Sequence, residues 1–206
     1  METKLIDKYV NWTRVKNECR STVGKDATDN EPSETFKENL IICEHSPIRC
    51  LKFTIRWKDL KSWVSVHLCR HHIGVEKWVQ TQRTDRTGVN RDESPQGTLI
   101  DMDYEFNAQA AINISRVRLC YQASPETRQA WEEVKKVLKD DCKDSAIVSD
   151  AMVPNCIYRA GCPEINGCKF YEQFLEWCFK QGVEPEDLFD IKTRYILYNR
   201  YFYREK

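Results

Sequence analysis

The amino-acid sequence predicts an α+β protein whose last third is a helical segment rich in cysteine. The stretch CLKFTIRW alternates apolar and basic residues, which is typical of a half-exposed strand. Several longer stretches repeat apolar residues at helical spacing, and polar or proline-containing loops separate them. Half of the ten cysteines follow residue 140, and they are Cys142, Cys156, Cys162, Cys168 and Cys178.

The first half of the chain alternates loops with predicted elements. Residues 24–34 form a polar loop, and Thr35 with Glu38 predicts a capping box for a helix through FKENLIIC. After the turn at Ser46 and the predicted strand, Asp59 is expected to cap the helix LKSWVSVHLCRHH. The next stretch, VQTQRTDRTGVNRDESPQG, has no core periodicity and indicates either a solvated loop or a binding loop.

Helical periodicity returns between Tyr104 and Tyr121, where apolar residues share one face. Asn107 and Arg118 are about three helical turns apart, so their side chains project in nearly the same direction. A separate polar stripe consists of Gln109, Asn113 and Arg116. Because the polar side chains are sorted by face, they either meet water or form a ligand surface.

The remaining elements are helical. Ser124 is a good N-cap and Pro125 suits the first helical position, which predicts a helix through ETRQAWEEVKKVLKD. The helix FYEQFLEWCFKQ is expected to end at Gly182. The final stretch, residues 191–206, is aromatic and basic. We expect it to pack against the Cys-rich segment or a neighbouring subunit, the alternative being a surface that stacks nucleic-acid bases.

Composition excludes several classes of protein. The formal net charge is zero, from 32 basic and 32 acidic residues, which argues against binding a nucleic-acid polymer through a bulk positive field. No apolar run approaches the roughly 20 residues of a membrane span, and the N-terminus lacks a signal-peptide pattern. We therefore expect a cytoplasmic protein that is not bound to a membrane.

The late cysteines predict a possible metal site. Cys142, Cys156, Cys162 and Cys168 form a four-thiolate set that could hold zinc or an iron–sulfur cluster. The tight Cys-x-x-Cys pairs of structural zinc sites are absent from the sequence. Separate reduced thiols and disulfides therefore stay open as alternatives.

Four blocks in order resemble the flavin-dependent thymidylate synthases. RHH at residues 70–72 is similar to the Arg-His-Arg signature of that family, and NAQAAINISRVR at 107–118 resembles its Asn-x-Arg-x-x-x-Asn-x-x-x-x-Arg helix. ASPETR matches at Ala123 and Glu126, and HSPIRCLKFTIRW resembles the preceding turn and strand. The resemblance covers residues 18–140 and implies an antiparallel sheet packed with helices. It divides the chain into a family-like domain, 1–140, and a Cys-rich helical extension, 141–206.

The resemblance also assigns site residues. It implies that Arg118 acts in catalysis by contacting the pyrimidine and favouring ionisation at N3, and that Arg91 reaches a phosphate in a neighbouring subunit. The implied FAD-binding residues are Ser46, Arg70, His71, His72, Asn107, Gln109 and Asn113. The implied substrate-binding residues are His67, Arg70, Gln80, Thr81, Gln82, Arg83, Arg91 and Arg118.

The activity implied by the resemblance is the reductive methylation of dUMP. Methylenetetrahydrofolate supplies the carbon, reduced FAD supplies the hydride, and NADPH reduces the flavin again. The family is homotetrameric, with ligands at subunit interfaces, and it needs no nucleophilic cysteine. The compact chain resembles phage-encoded members, so the expected compartment is the cytoplasm of a bacterium or of a phage-infected host.

Three departures from the family pattern leave other activities open. His72 replaces an arginine, Val79 and Thr81 stand near the Glu and Ser of the phosphate loop, and only 24 positions separate Arg83 from Asn107. The alternatives are a related flavin-dependent methylase or hydroxymethylase of dUMP or dCMP, and a catalytically silent nucleotide-binding descendant.

Overall fold

The sheet consists of four antiparallel strands in the order β1-β2-β4-β3. A computed structural model describes residues 1–204 of the chain. The strands are β1 (Glu2–Tyr9), β2 (Lys52–Lys61), β3 (Val75–Val79) and β4 (Leu99–Asn107). The predicted strand CLKFTIRW is confirmed from Lys52 onward, whereas Cys50 ends the preceding 3-10 turn. The predicted α+β class, an antiparallel sheet packed with helices, is confirmed.

Helices cover one face of the sheet, and the last third of the described chain consists of helices and loops without a strand. Three short 3-10 turns lie at Ser46–Cys50, Arg91–Glu93 and Pro185–Phe189. Among residues 1–204, no helix combines the length and the apolar character that crossing a membrane requires. The helices are α1 (Trp12–Ser21), α2 (Glu34–Ile42), α3 (Ser62–Cys69), α4 (Thr84–Thr87), α5 (Ala108–Arg118), α6 (Pro125–Asp141), α7 (Lys143–Asp150), α8 (Asn155–Tyr158), α9 (Phe170–Lys180) and α10 (Ile191–Tyr203).

The core lies between the sheet and α6. Alternate residues of β2 and β4 point into it and are fully buried, as a strand with one covered face requires. Trp131 of α6 packs against Tyr104 and Phe106 of β4, with ring centres 6.3 and 5.4 Å apart. The buried cluster continues into α9 and α10. The division of the chain near residue 140 therefore stays a prediction.

Two predicted helix starts are wrong. Asp59 does not cap α3: it lies in a bulge of β2 with φ of +57°, and the strand continues to Lys61. The bulge adds one residue to β2 opposite β4, so the chain turns into α3 later than the local pattern indicates. Helix α2 begins after Ser33, whose hydroxyl accepts a hydrogen bond from the Phe36 amide at 3.2 Å, instead of at Thr35.

The predicted helix from Tyr104 is also corrected. Tyr104 and Phe106 belong to β4, and α5 begins only at Ala108. Residues 102, 104 and 106 are buried while their neighbours are not, which is the period of a strand. Asn107 is therefore the N-cap of α5, and its Oδ1 accepts a hydrogen bond from the Ala110 amide at 2.9 Å.

The later elements follow the sequence more closely. Ser124 is the N-cap of α6 and Pro125 its first residue, and Gly182 ends the α9 region with φ of +77°. Helix α10 ends at Tyr203, and the last two residues of the predicted stretch, Glu205 and Lys206, lie outside the described residues. The Tyr201 ring packs edge-on against aromatic rings of α9.

Candidate functional site

The ends of α3 and α5 meet at Arg118. Its Nε donates a hydrogen bond to His71 Nε2 at 2.9 Å, and a terminal nitrogen donates to the His67 carbonyl at 2.7 Å. The C-terminal end of a helix carries partial negative charge, which favours a cation there. A guanidinium has five N–H donors, so three remain for a ligand. Arg118 is thus a half-buried cation in a fixed orientation.

Charge and burial around Arg118 keep His71 neutral. Burial is the larger cause and the Arg118 charge the second, and together they lower the pKa of His71 to about 4. A neutral imidazole can accept the Arg118 hydrogen bond through Nε2, which a protonated ring cannot do. Burial, followed by the charge of the nearby Arg70, lowers the pKa of Arg118. His71 therefore orients Arg118, a role that the sequence did not predict.

Two residues missed by the sequence analysis complete the end of α3. Lys77 of β3 donates to the carbonyls of Cys69 and His71 at 2.9 and 2.7 Å. Tyr104 donates its hydroxyl proton to the Leu68 carbonyl at 3.1 Å. Lys77 lies on β3 and Tyr104 on β4, so no pattern within α3 predicts these contacts. They fix the turn that carries the RHH stretch.

Arg70 and His72 of that stretch lie on the surface. Both side chains are exposed. The His72 Nδ1 is 3.1 Å from the Arg70 carbonyl oxygen. The signature therefore splits, with His71 turned inward and its neighbours turned outward.

The predicted phosphate-binding residues share one cleft of about 390 Å³. Gln80, Thr81, Gln82 and Arg83 follow β3, and Arg91 comes from the 3-10 turn of the same chain. In one chain Arg91 lines the same cleft, and the contact with a neighbouring subunit that the resemblance implies for it stays a prediction. The remaining lining residues are Ser62, Ser65, Val66, Cys69, Val79 and Ile100.

Hydrogen bonds order the rim of this cleft. Arg83 makes a two-point pair with Asp85, at 3.0 and 2.9 Å, and its amide donates to Thr81 Oγ1 at 3.3 Å. Because the Arg83–Asp85 pair is exposed, it contributes little to stability and a phosphate could replace the carboxylate. The side-chain carbonyl of Gln80 accepts a hydrogen bond from the Asp101 backbone amide at 2.8 Å. This bond joins β4 to the residue that follows β3. Ser62 donates its hydroxyl proton to Gln82 Oε1 at 3.3 Å.

The polar stripe of α5 is anchored by Glu44, which follows α2. The Glu44 carboxylate accepts from Gln109 Nε2 at 2.7 Å and from Arg116. Asn113 is exposed, and its Oδ1 accepts from Gln109 and Arg116, both at 3.3 Å. The 3-10 turn that begins with the exposed Ser46 packs against α5. Glu44 was not identified from the sequence.

Asn107 sits slightly apart from this stripe. Its Oδ1 caps α5, and its side-chain nitrogen Nδ2 lies against Gly74. A Cβ on Gly74 would collide with Asn107 Nδ2. Gly74 also has φ of +72°, so both the space and the backbone conformation at this position require glycine.

The predicted cysteine set is divided between two places. Cys142 lies between α6 and α7, where it accepts a hydrogen bond from Lys8 at 3.4 Å. Cys156, Cys162 and Cys168 instead lie near Cys120: burial first, and then the charges of these thiols, raise the pKa of Cys156 to about 12. All ten cysteines are free thiols. Within residues 1–204, no three His, Cys, Asp or Glu side chains are grouped as metal ligands, and a metal at these thiols stays a prediction.

One chain therefore presents its candidate residues in three groups. Ser65 and Cys69 on one face of α3 line the cleft, while His67 and His71, about half a turn away, meet Arg118. The polar stripe with Glu44 forms the third group, on α5.

Comparison with known proteins gives matches in structure. No protein-family model matches the sequence, and no curated protein matches it. Among solved structures, the chain is similar to a UMP/dUMP methylase, PolB from Streptomyces cacaoi, bound with 5-Br dUMP. The two are 14% identical, the match covers 73% of this chain and 93% of that chain, and the TM-score is 0.57.

The flavin-dependent thymidylate synthase ThyX from Helicobacter pylori, complexed with FAD and dUMP, is also similar. Two of its structures match with 12% identity. One match covers 66% of this chain and 93% of that chain with a TM-score of 0.55. The other covers 74% and 99% with a TM-score of 0.59. The predicted fold is confirmed: this chain has the fold of flavin-dependent thymidylate synthase.

Proposed function

We propose that this protein methylates dUMP to dTMP, with methylenetetrahydrofolate as carbon donor and reduced FAD as hydride donor. One observation carries the proposal: the residues Gln80–Arg83 and Arg91 share a cleft of about 390 Å³ beside α3. That volume lies within the usual range of small-molecule sites. Two guanidinium groups, a hydroxyl and backbone amides suit the oxygens of a phosphate monoester.

Arg118 is proposed to bind the pyrimidine. Its hydrogen bonds to His71 and to the His67 carbonyl hold a permanent positive charge in place before any ligand arrives. Such a charge stabilises the anion that forms when the uracil ring loses its N3 proton, without further rearrangement of the protein. The neutral His71 acts through Arg118 and does not itself carry the charge.

The α5 stripe fits the polar edge of a flavin ring. Asn113 uses its carbonyl oxygen within the chain, which leaves its NH2 group as a donor on the exposed side. Gln109 uses its NH2 group, which leaves its carbonyl oxygen as an acceptor. Adjacent donors and acceptors match the alternating C=O and N–H groups of an isoalloxazine. Asn107, Ser46 and the exposed Arg70 and His72 would hold other parts of FAD.

When bound, FAD would supply the hydride that completes the methyl group. Methylenetetrahydrofolate would supply the carbon and leave as tetrahydrofolate, and NADPH would supply the two electrons for the next turnover. The protein's part is to bind and orient these molecules and to hold charge at Arg118.

The three groups of residues also support an assembly of several copies. Neither Arg118 nor the α5 stripe lines the cleft of its own chain, and we infer that a neighbouring copy brings such side chains to a ligand bound there. We propose a homotetramer with such shared sites. Light scattering of the purified protein measures this directly.

The experiment is anaerobic turnover with reduced FAD and methylenetetrahydrofolate, and it measures dTMP by chromatography. Arg83→Ala is expected to weaken dUMP binding about 10- to 150-fold, because a charged hydrogen bond contributes about 1.5–3 kcal/mol. Arg86→Ala is the matched control, since Arg86 is an exposed arginine of α4, three residues after Arg83 and outside the cleft lining.

The outcomes separate the candidate functions. Product from dUMP that depends on Arg83 supports the proposal. Turnover of dCMP in place of dUMP contradicts the assignment of dUMP as the substrate. Nucleotide binding without turnover indicates a catalytically silent nucleotide-binding protein. Equal effects of Arg83→Ala and Arg86→Ala contradict the assignment of the cleft.

A further inference from the structure

The α5 stripe is connected to the Cys-rich extension through Arg116. This guanidinium pairs with Glu44 and donates to Asn113 Oδ1 at 3.3 Å. Its carbon Cζ lies 3.7 Å from the centre of the Tyr158 ring, at the end of α8. Tyr158 thus covers the cation that holds the two amides of the stripe.

Arg116 depends on these neighbours for its position. Its side chain is mostly buried. Its Nε is buried and has no hydrogen-bond partner among the described residues. The flat face of the guanidinium rests on Tyr158, which is a favourable arrangement for a desolvated cation. Removing the ring would therefore let Arg116 reorient toward water and release Glu44.

Arg116 and its partner Glu44 together decide which way the two amides point. Asn113 turns its carbonyl oxygen toward Arg116 and Gln109, so its NH2 group faces the exposed side. Gln109 turns its NH2 group toward Glu44 at 2.7 Å, so its carbonyl oxygen is left for a ligand. Without Arg116 in place, either amide could rotate and reverse its donor and acceptor.

We propose that Tyr158 is a positioning residue, which holds Arg116 so that Asn113 and Gln109 present one donor and one acceptor to a planar heteroaromatic ring. The identity of that ring as the flavin rests on the proposed function. The Cys-rich extension thereby contributes to the site through α8, although none of its residues needs to touch the ligand.

The test compares three variants in the ligand-free protein and in titrations with FAD. Tyr158→Leu removes the ring but keeps apolar bulk, and Tyr158→Phe keeps the ring. Tyr171→Leu is the control, because Tyr171 is a half-buried tyrosine of the same extension that packs against Phe174. The first readout is the pair of side-chain NH2 signals of Asn113 and Gln109 in nitrogen–proton NMR spectra.

Tyr158→Leu is expected to shift both pairs of signals in the ligand-free protein and to weaken FAD binding about tenfold or more, as loss of one well-placed contact would. Tyr158→Phe should keep the wild-type NH2 signals and the wild-type FAD affinity, and Tyr171→Leu should change neither. If Tyr158→Leu fails to fold, Tyr158→Met keeps more side-chain volume without a ring and should shift the same signals.

Unchanged NH2 signals in Tyr158→Leu overturn the proposal, whatever happens to FAD. Equal shifts in Tyr158→Leu and Tyr158→Phe overturn it as well, because the ring would not be the cause. If the signals shift as expected but even the wild type binds no FAD, the positioning role stands and the flavin assignment fails.

Discussion

Replacing Arg118 by lysine separates the charge of this residue from its geometry. The arginine makes two hydrogen bonds to the end of α3, at 2.9 and 2.7 Å, and keeps three N–H groups for a ligand. A lysine has one ammonium, which cannot occupy both positions and also reach the pyrimidine. Hydrogen bonds of charged groups contribute about 1.5–3 kcal/mol each. We expect Arg118→Lys to weaken dUMP binding about 10- to 150-fold.

Arg118→Met removes the charge as well, and the pKa of His71 is expected to change as a result. Burial and, second, the Arg118 charge lower the pKa of His71 to about 4. The variant should raise this pKa, yet leave it below the ordinary 6.5 because burial persists. In the wild type the unfolded state binds this proton first as the pH falls, so the free energy of unfolding declines between pH 6.5 and about 4. Arg118→Met should make that decline smaller.

Two assays check these expectations. Calorimetric titration gives dUMP affinity for both variants, and proton NMR follows the His71 ring against pH. Arg128→Lys is the control, since Arg128 is a half-buried arginine of α6 whose Cζ lies 4.1 Å from the Tyr121 ring centre. The reasoning is refuted if His71 titrates identically in wild type and Arg118→Met, or if Arg118→Lys binds dUMP as the wild type does.

Three further predictions concern the scaffold. Gly74→Ala should lower the free energy of unfolding by about 1–3 kcal/mol, because φ is +72° and the new Cβ would meet Asn107; thermal unfolding measures it. Asn107→Ala removes the α5 cap and should cost about 1 kcal/mol in urea titrations, where no change would contradict the capping role. Burial lowers the pKa of Lys135 to about 7, so the free energy of unfolding should rise from about pH 7 toward 10.5 as the folded state releases this proton first. Lys135→Met should remove that rise, and an unchanged pH profile would count against it.

The sequence predicted best those features that depend on neighbouring residues. Pro125 after Ser124 marks the start of α6, and Gly182 marks the end of the α9 region, because caps and turns are local. The polar pattern of residues 80–83 predicted a loop, and only the family resemblance indicated that this loop binds substrate. The fold class followed from one clear strand and several helical stretches.

Features that depend on distant partners were missed. Asp59 occupies a bulge that exists only because β2 pairs with β4. Glu44 acquires its role from residues 65 and 72 positions away on α5. The alternation MDYEFN before α5 was readable as a strand, and it would have revealed Asn107 as a cap.

The placement of the cysteines also depends on distant partners. Cys142 is close to the other three in sequence, but the packing of α6 and α7 separates it from them. Cys120, which lies 36 residues before Cys156, is instead close enough to affect its pKa. Proximity in sequence did not predict proximity in space.

A crystal structure of the protein with FAD and dUMP tests the central claim most directly. We predict the nucleotide phosphate in the cleft, within hydrogen-bond distance of Arg83 and Arg91, and the pyrimidine beside an Arg118 of the same or a neighbouring copy. A nucleotide bound elsewhere, with this cleft and Arg118 both facing solvent in every copy, would contradict the account.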